Sequence, residues 1–169
     1  SGHEGWVQAL AYSPDGMIIA TGSRDFTVRL WRVCDGACQR ILRGHVCSVY
    51  ALAYSPDGTT FATGSRDSTV RIWRASDGTH LRTLDNHESW VYAVAYSPDS
   101  STIATASGDR TVMLWRADSL LQKKKTRSMQ PQSVLKDSAG ADEGEEREQR
   151  VDQLQQEVEK LQARLKLSA

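Results

Sequence analysis

The stretch GHVCSVYALAYSPDGTTFATGSRDSTVRIW, residues 44–73, decides the fold, because the chain carries it nearly three times over. Residues 2–31 read GHEGWVQALAYSPDGMIIATGSRDFTVRLW, and residues 86–115 read NHESWVYAVAYSPDSSTIATASGDRTVMLW. The period is 42 residues each time: His3, His45 and His87 keep it, as do Asp25, Asp67 and Asp109, and Trp31, Trp73 and Trp115. Self-similarity at a fixed period of this length is the signature of a repeat architecture.

Within one copy the pattern is a run of short strands and tight turns. Val7 to Tyr12 predicts a half-buried strand. Pro14-Asp15-Gly16 supplies a turn in which Gly16 is free to take positive φ. Met17 to Thr21 is apolar enough for a strand covered on both faces, and Thr27 to Trp31 alternates as a third. Asp35-Gly36 marks another turn, after which Gln39 to Leu42 can form an outer strand. Such a sheet has two apolar faces and cannot bury them alone, so the copies must stack. A single irregular sandwich would leave the unbroken period unexplained.

The Gly-His start, the Ser-Pro-Asp-Gly turn, and an Asp six residues before a Trp, at this period, resemble the WD-repeat, or β-transducin-like, propeller family. The resemblance covers roughly residues 2–119. It implies an all-β fold: a partial β-propeller of three four-stranded antiparallel blades (2–43, 44–85 and 86–121) within residues 1–121. It also implies a buried hydrogen-bonded relay in each blade, built from loop His, strand hydroxyl, turn Asp and Trp. The matching residues are His3, Ser23, Asp25 and Trp31, then His45, Ser65, Asp67 and Trp73, then His87, Ser107, Asp109 and Trp115. Thr21, Thr63 and Thr105 lie on the same strand face as alternative hydroxyls. A relay satisfies every member, since a buried carboxylate, imidazole and indole N–H each need a partner. A catalytic triad would need one special exposed nucleophile rather than three equivalent copies, so no catalytic residue is expected. Arg32, Arg74 and Arg116 replace the family's Asp after the Trp, which puts in doubt any role that rests on an acidic Trp-Asp motif.

By the same resemblance, partners sit on the face built by the loops before the first strand and after the second. The exposed positions there are Trp6, Ser48 and Trp90, then Gln8, Tyr50 and Tyr92, then Arg24, Arg66 and Gly108. Trp, Tyr and Arg dominate interface hot spots, each offering large area and a polar handle. The expected partner-binding set is therefore Trp6, Gln8, Arg24, Tyr50, Arg66, Trp90 and Tyr92. The competing reading packs Trp6 and Trp90 between blades and leaves the arginines as solvated turn residues. Arg24 and Arg66 have the fork geometry for a carboxylate or a phosphopeptide. Arg29 and Arg71, mid-strand, are expected to cover apolar surface with their stems.

Composition removes other classes. The 21 basic and 21 acidic residues cancel, so there is no electrostatic footprint of a nucleic-acid binder. No apolar stretch approaches the length of a membrane span. Neither nucleic acid nor membrane is an expected partner. Cys34, Cys38 and Cys47 show no disulfide spacing, which suits a reducing compartment. Ser76 and His80 stand where Cys34 and Cys38 would recur, and four zinc ligands cannot be assembled, so no metal or cofactor is expected.

After Leu121 the composition changes. Residues 122–141, with Pro131 and Gly140, read as a flexible linker. Its cluster Lys123 to Arg127 is either solvated linker or a nuclear-import signal. Residues 142–167 predict a coiled-coil helix, acidic at its start and basic at its end, as the macrodipole favours. Val151, Leu154, Val158, Leu161 and Leu165 space as an a/d seam for self-association or a partner helix. Leu120 and Leu121 are candidates for the third blade's fourth strand.

Three blades fall short of a closed ring and leave open apolar faces. The expectation is the C-terminal portion of a longer protein, or two three-blade units assembled in trans. The expected function is a protein-interaction scaffold in a centriolar, ciliary, cytoskeletal or other multiprotein assembly. Its location would be cytoplasmic and cytoskeleton-associated, with the nucleus as alternative. No P-loop, kinase or metalloprotease motif is present, so an enzyme is not expected. The alternative is the regulatory repeat region of an enzyme whose catalytic domain lies upstream.

Overall fold

The computed structural model describes residues 2–117, 131 and 133–136. The first sheet consists of β1 (Val7–Tyr12), β2 (Ile18–Ser23), β3 (Val28–Arg32) and β4 (Cys38–Leu42). The second contains β5 (Val49–Tyr54), β6 (Thr60–Ser65), β7 (Val70–Arg74) and β8 (His80–Leu84). The third contains β9 (Val91–Tyr96), β10 (Thr102–Ser107), β11 (Thr111–Arg116) and β12 (Ser133–Lys136). Each is a four-stranded antiparallel meander in which spatial order follows chain order.

The hairpins explain themselves locally. Ahead of β2, the Asp15 carboxylate accepts the Met17 N–H at 2.9 Å, and Gly16 takes φ 71°. The second turn repeats this with Asp57 and Gly58, while the third places Ser100 at φ 60° where glycine would be unstrained. Met17, expected inside the second strand, instead lies in the turn and is exposed.

One expectation fails at the third sheet. Its outer strand is not Leu120 and Leu121, which lie outside the described residues, but Ser133–Lys136, drawn from the stretch read as linker. This strand pairs with β11 from Thr111↔Lys136 to Leu114↔Ser133. The physical reason is that β11 offers an unpaired edge, and Val134-Leu135 is a β-forming pair that a polar neighbourhood hides from composition.

The sheets stack with their first strands side by side, β1 against β5 and β5 against β9. Between the first two sheets lie Ala20, Val28, Leu30 and Leu42 from one and Val49, Phe61 and Trp73 from the other. Between the second and third, Ala62, Val70, Ile72 and Leu84 meet Val91, Tyr96, Ile103 and Trp115. Burying one side chain the size of Phe61 contributes about 1.5–3 kcal/mol, so the interfaces rather than the isolated sheets hold the fold. Two glycines set how close the sheets come. A Cβ on Gly22 would lie 2.6 Å from the Val49 γ-carbon, and one on Gly64 would lie 2.7 Å from that of Val91. The expected open apolar wall is present on the far side of the first sheet, where Val7, Leu10 and Tyr12 are exposed.

Candidate functional site

The three relays are one arrangement built three times. In the second copy His45 Nδ1 lies 2.8 Å from Asp67 Oδ2, and His45 Nε2 lies 2.8 Å from Thr63 Oγ1. Trp73 Nε1–H donates to the same Thr63 oxygen at 2.9 Å. A carboxylate can only accept, so the imidazole carries its proton on Nδ1 and accepts the threonine hydroxyl at Nε2. The chain of donors thus runs from Trp73 to Thr63 to His45 to Asp67. His3, Asp25, Thr21 and Trp31 repeat it, as do His87, Asp109, Thr105 and Trp115.

The relay hydroxyl is therefore the threonine, and the assignment to Ser23, Ser65 and Ser107 is corrected. Trp73 faces Phe61 across the ladder, and Thr63 is that residue's next neighbour on the same face. The serine stands two residues further on, at the strand's end. There Ser65 Oγ accepts the Asp67 N–H at 3.1 Å and donates to the Cys47 carbonyl at 3.3 Å. Ser23 accepts from the Asp25 N–H in the same way, and Ser107 from the Asp109 N–H. These serines shape the turn.

Sequence reasoning also missed Thr27, Thr69 and Thr111. Each donates its hydroxyl to the relay Asp at 2.6 Å and its N–H to the same Oδ1 at 2.9–3.0 Å. Their signal was available, since a Thr recurs two residues after the Asp in every copy. The residue between them, Phe26, Ser68 or Arg110, takes positive φ, a strained conformation that these bonds hold in place. Burial works to raise the Asp25 carboxyl, but hydrogen bonds from Thr27, His3 and the Glu4 N–H outweigh it and hold the group well below the usual carboxylate range. Asp67 and Asp109 are depressed against burial in the same manner. With its Asp ionised, its His oriented and its Thr donating inward, each relay is fully engaged. It reads as architecture: Thr63 and Thr105, whose hydroxyls face the imidazoles, are fully buried.

That architecture positions a loop surface. One backbone bond recurs in all copies: the Arg24 N–H to the Trp6 carbonyl, the Arg66 N–H to that of Ser48, and the Gly108 N–H to that of Trp90. It sets the loop after each second strand beside the loop before each first strand. Trp6 is 69% exposed, and the Arg24 guanidinium lies 4.4 Å from its ring centroid. Ser48 is buried, contrary to its expected exposure, and offers no ring to its neighbour Arg66. Arg66 reaches across to the next blade instead, 4.3 Å over the Trp90 ring. Tyr50 and Tyr92 stack at 5.7 Å and 10°, and each ring lies 6.1 Å from Trp90. Gly108 makes room for this, because a Cβ there would stand 3.3 Å from the Tyr92 ring.

The structure thus brings Arg66, Trp90, Tyr50 and Tyr92 into one cluster and pairs Arg24 with Trp6. Gln8 is exposed on the adjoining strand. The tyrosines are half-buried, with one ring face of each committed to the stack. A guanidinium held this close over an indole gains about 0.5–1 kcal/mol, and its five N–H groups can still reach an acceptor.

Arg32 and Arg74, the residues after the Trp, close the next hairpin by ion pairs to Asp35 at 3.1 Å and Asp77 at 3.0 Å. Arg29 is buried and Arg71 half-buried, and the Nε of each is shut away from solvent. Cys34, Cys38 and Cys47 are free thiols, and no cluster of His, Cys, Asp or Glu among the described residues could hold a metal. The basic cluster Lys123 to Arg127 and the seam Val151, Leu154, Val158, Leu161 and Leu165 lie outside the described residues.

Comparison with known proteins agrees with this geometry. The family model described as WD domain, G-beta repeat matches residues 1–32, 36–74 and 78–116. The human WD repeat-containing protein 86 is 49% identical over 43 residues, 25% of this chain and 11% of that protein. Cell division control protein 4 of Saccharomyces cerevisiae is 44% identical over 45 residues, 27% of this chain and 6% of that protein. The chain thus spans only a small fraction of the curated relatives it matches. Among solved structures, the WD40 repeats of RRP9 superpose with a TM-score of 0.74 at 25% identity, covering 81% of this chain and 40% of that one. U3-55K superposes equally well, at a TM-score of 0.74 and 24% identity over 81% of this chain and 41% of that one, which speaks for the fold. WD repeats form propeller blades that generally serve as non-catalytic scaffolds for protein–protein interaction. By its repeats, its three four-stranded sheets and its threefold relay, the chain belongs to the WD-repeat β-propeller family.

Proposed function

We propose that the chain is a non-enzymatic interaction scaffold that captures a protein partner on its loop face and gathers copies or subunits through the 142–167 coil. The observation that carries the reading is Trp6, exposed over 69% of its surface with Arg24 stacked upon it. A folded protein gains nothing from holding an indole in water, whereas an interface does. Trp90, Arg66, Tyr50 and Tyr92 extend the same surface, and Gln8 lies at its edge. Val151, Leu154, Val158, Leu161 and Leu165 supply the seam of a short parallel dimer or of a pairing with a partner helix. We place this work in the cytoplasm, in a cytoskeletal or other multiprotein assembly.

The test is affinity capture with the intact chain, with Trp6→Ala/Trp90→Ala, and with Val158→Asp/Leu161→Asp. The first variant should lose the partner and keep its oligomeric state, and the second should do the reverse. If neither changes the captured set or the mass in solution, both assignments are wrong.

A further inference from the structure

On the outer strands of the second sheet a guanidinium stands without a counter-ion among the described residues. Arg71 on β7 is half-buried, its Nε is shut away from solvent, and no carboxylate among the described residues pairs with it. The chain makes room for this side chain. A Cβ on Gly44, in the loop ahead of β5, would lie 2.7 Å from a terminal nitrogen of Arg71. The register of β7 with β8 sets Thr83 opposite Arg71 and His80 opposite Trp73. His80 stands edge-on to the Trp73 ring at 5.4 Å, and its Nε2 lies 3.0 Å from Thr83 Oγ1. Neither other blade has the whole set. In the first, Ile41 and Cys38 stand for Thr83 and His80, and Arg29 does not come up to Gly2, which has nothing within 4 Å. In the third, Met113 and Asn86 replace Arg71 and Gly44.

We propose that Arg71, Thr83 and His80 form a binding site for a phosphate group, free or esterified. Burial of Nε anchors the guanidinium and leaves its terminal N–H groups as the fork for two phosphate oxygens. A carboxylate would need that fork alone, whereas the Thr83 hydroxyl serves a third oxygen. His80 controls the hydroxyl. One N–H of its ring is engaged by the Arg82 backbone, so the neutral imidazole accepts the Thr83 hydroxyl at Nε2. Once protonated, Nε2–H donates to Thr83 Oγ1, and the hydroxyl proton turns outward to the incoming oxygen. The ionisable side chains that act on His80 are Arg71 from β7 and His45 from the loop ahead of β5, and neither is an acid. Desolvation, then repulsion from Arg71, hold the imidazole below its ordinary value. A bound dianion offsets that repulsion, so phosphate and proton strengthen each other's binding. The site lies on the blade's outer strands and does not depend on the loop-face reading above.

The test follows the His80 imidazole by NMR in the full chain, in inorganic phosphate and in chloride at equal ionic strength. Phosphate should raise the His80 pKa by about one unit, which corresponds to about ten-fold tighter binding by the protonated form. Arg71→Gln should abolish that rise and, in chloride, lift the His80 value by itself. Arg71→Lys keeps the charge without the fork, so it should hold the chloride value low and show a smaller rise. Thr83→Val should also shrink the rise, whereas Arg74→Gln, which loses only the surface pair with Asp77, should change nothing. A phosphoserine tripeptide run alongside identifies the source. A rise with it assigns a protein-borne phosphate, and a rise with the inorganic ion alone assigns free phosphate. No rise with either, an equal rise in Arg71→Gln, or an equal rise in acetate would overturn the site.

Discussion

Replacing Thr63 by valine keeps the side-chain shape and removes one oxygen. That oxygen takes the Trp73 N–H at 2.9 Å and faces His45 Nε2 at 2.8 Å. Trp73 is 2% exposed and His45 6%, so neither orphaned group can turn to water. Each buried polar group left without a partner costs about 1–3 kcal/mol, which puts Thr63→Val, with two such groups, at about 2–6 kcal/mol. Thr63→Ser keeps the oxygen and loses a methyl, at about 1 kcal/mol. Ser65→Ala breaks only the turn bonds, also at about 1 kcal/mol. The first-blade variant Thr21→Val should cost less than Thr63→Val, because Trp31 is half-buried and its N–H lies nearer solvent. Urea denaturation of the four variants, followed by tryptophan emission and extrapolated linearly, gives the ranking. If Ser65→Ala costs more than Thr63→Val, the relay runs through the serine and the hydrogen-bond assignment is wrong.

The depressed carboxyls of Asp25, Asp67 and Asp109 make the fold acid-sensitive. Their stabilisation is complete above the unfolded value of about 4 and falls as pH drops toward their folded values. The urea midpoint should therefore hold between neutrality and about pH 5, then fall steeply, and fall less in Asp67→Asn, whose midpoint is already low at pH 7. At the alkaline end, burial pushes the Tyr54 and Tyr96 hydroxyls up to about 12, against the hydrogen bond shared with Thr60 in the case of Tyr96. Below about pH 10 that contribution is intact, and it is lost between about 10 and 12, as absorbance titration of Tyr96→Phe against the parent would reveal. Gly64→Val in the native repeat drives a side chain into Val91 and should cost about 1–3 kcal/mol or more in thermal unfolding. Arg66→Ala should leave stability within about 1 kcal/mol and change the near-ultraviolet dichroism of Trp90, which loses its stacked cation.

How much of this was legible in the sequence follows from what each feature depends on. The blades were legible because a 42-residue period and its turn residues are local signals. The relay's His, Asp and Trp were legible for the same reason. Its hydroxyl was not, since Thr63 and Ser65 share a strand face and only cross-strand register puts one of them under the Trp73 ring. The outer strand β12 escaped because its pairing with β11 is set by an available edge, while Ser133–Lys136 has little pattern of its own. Trp6 and Trp90 were legible as surface residues from their loops. The arginine on each was not, because which indole Arg66 reaches depends on the neighbouring blade having Trp90 where its own has Ser48.

That last substitution gives the loop face a direction. Arg24 stays on its own blade's indole, Arg66 leans forward onto the next, and Gly108 has no side chain to place. Three nearly identical modules therefore display three different motifs in a fixed sequence from first to last. A strand or helix laid across them meets a lone ring with its cation, then a cation bound forward into an aromatic cluster, and it would meet them in the opposite order if reversed. Internal repetition here produces polarity, so a linear segment bound to this surface can be told from the same segment running backwards.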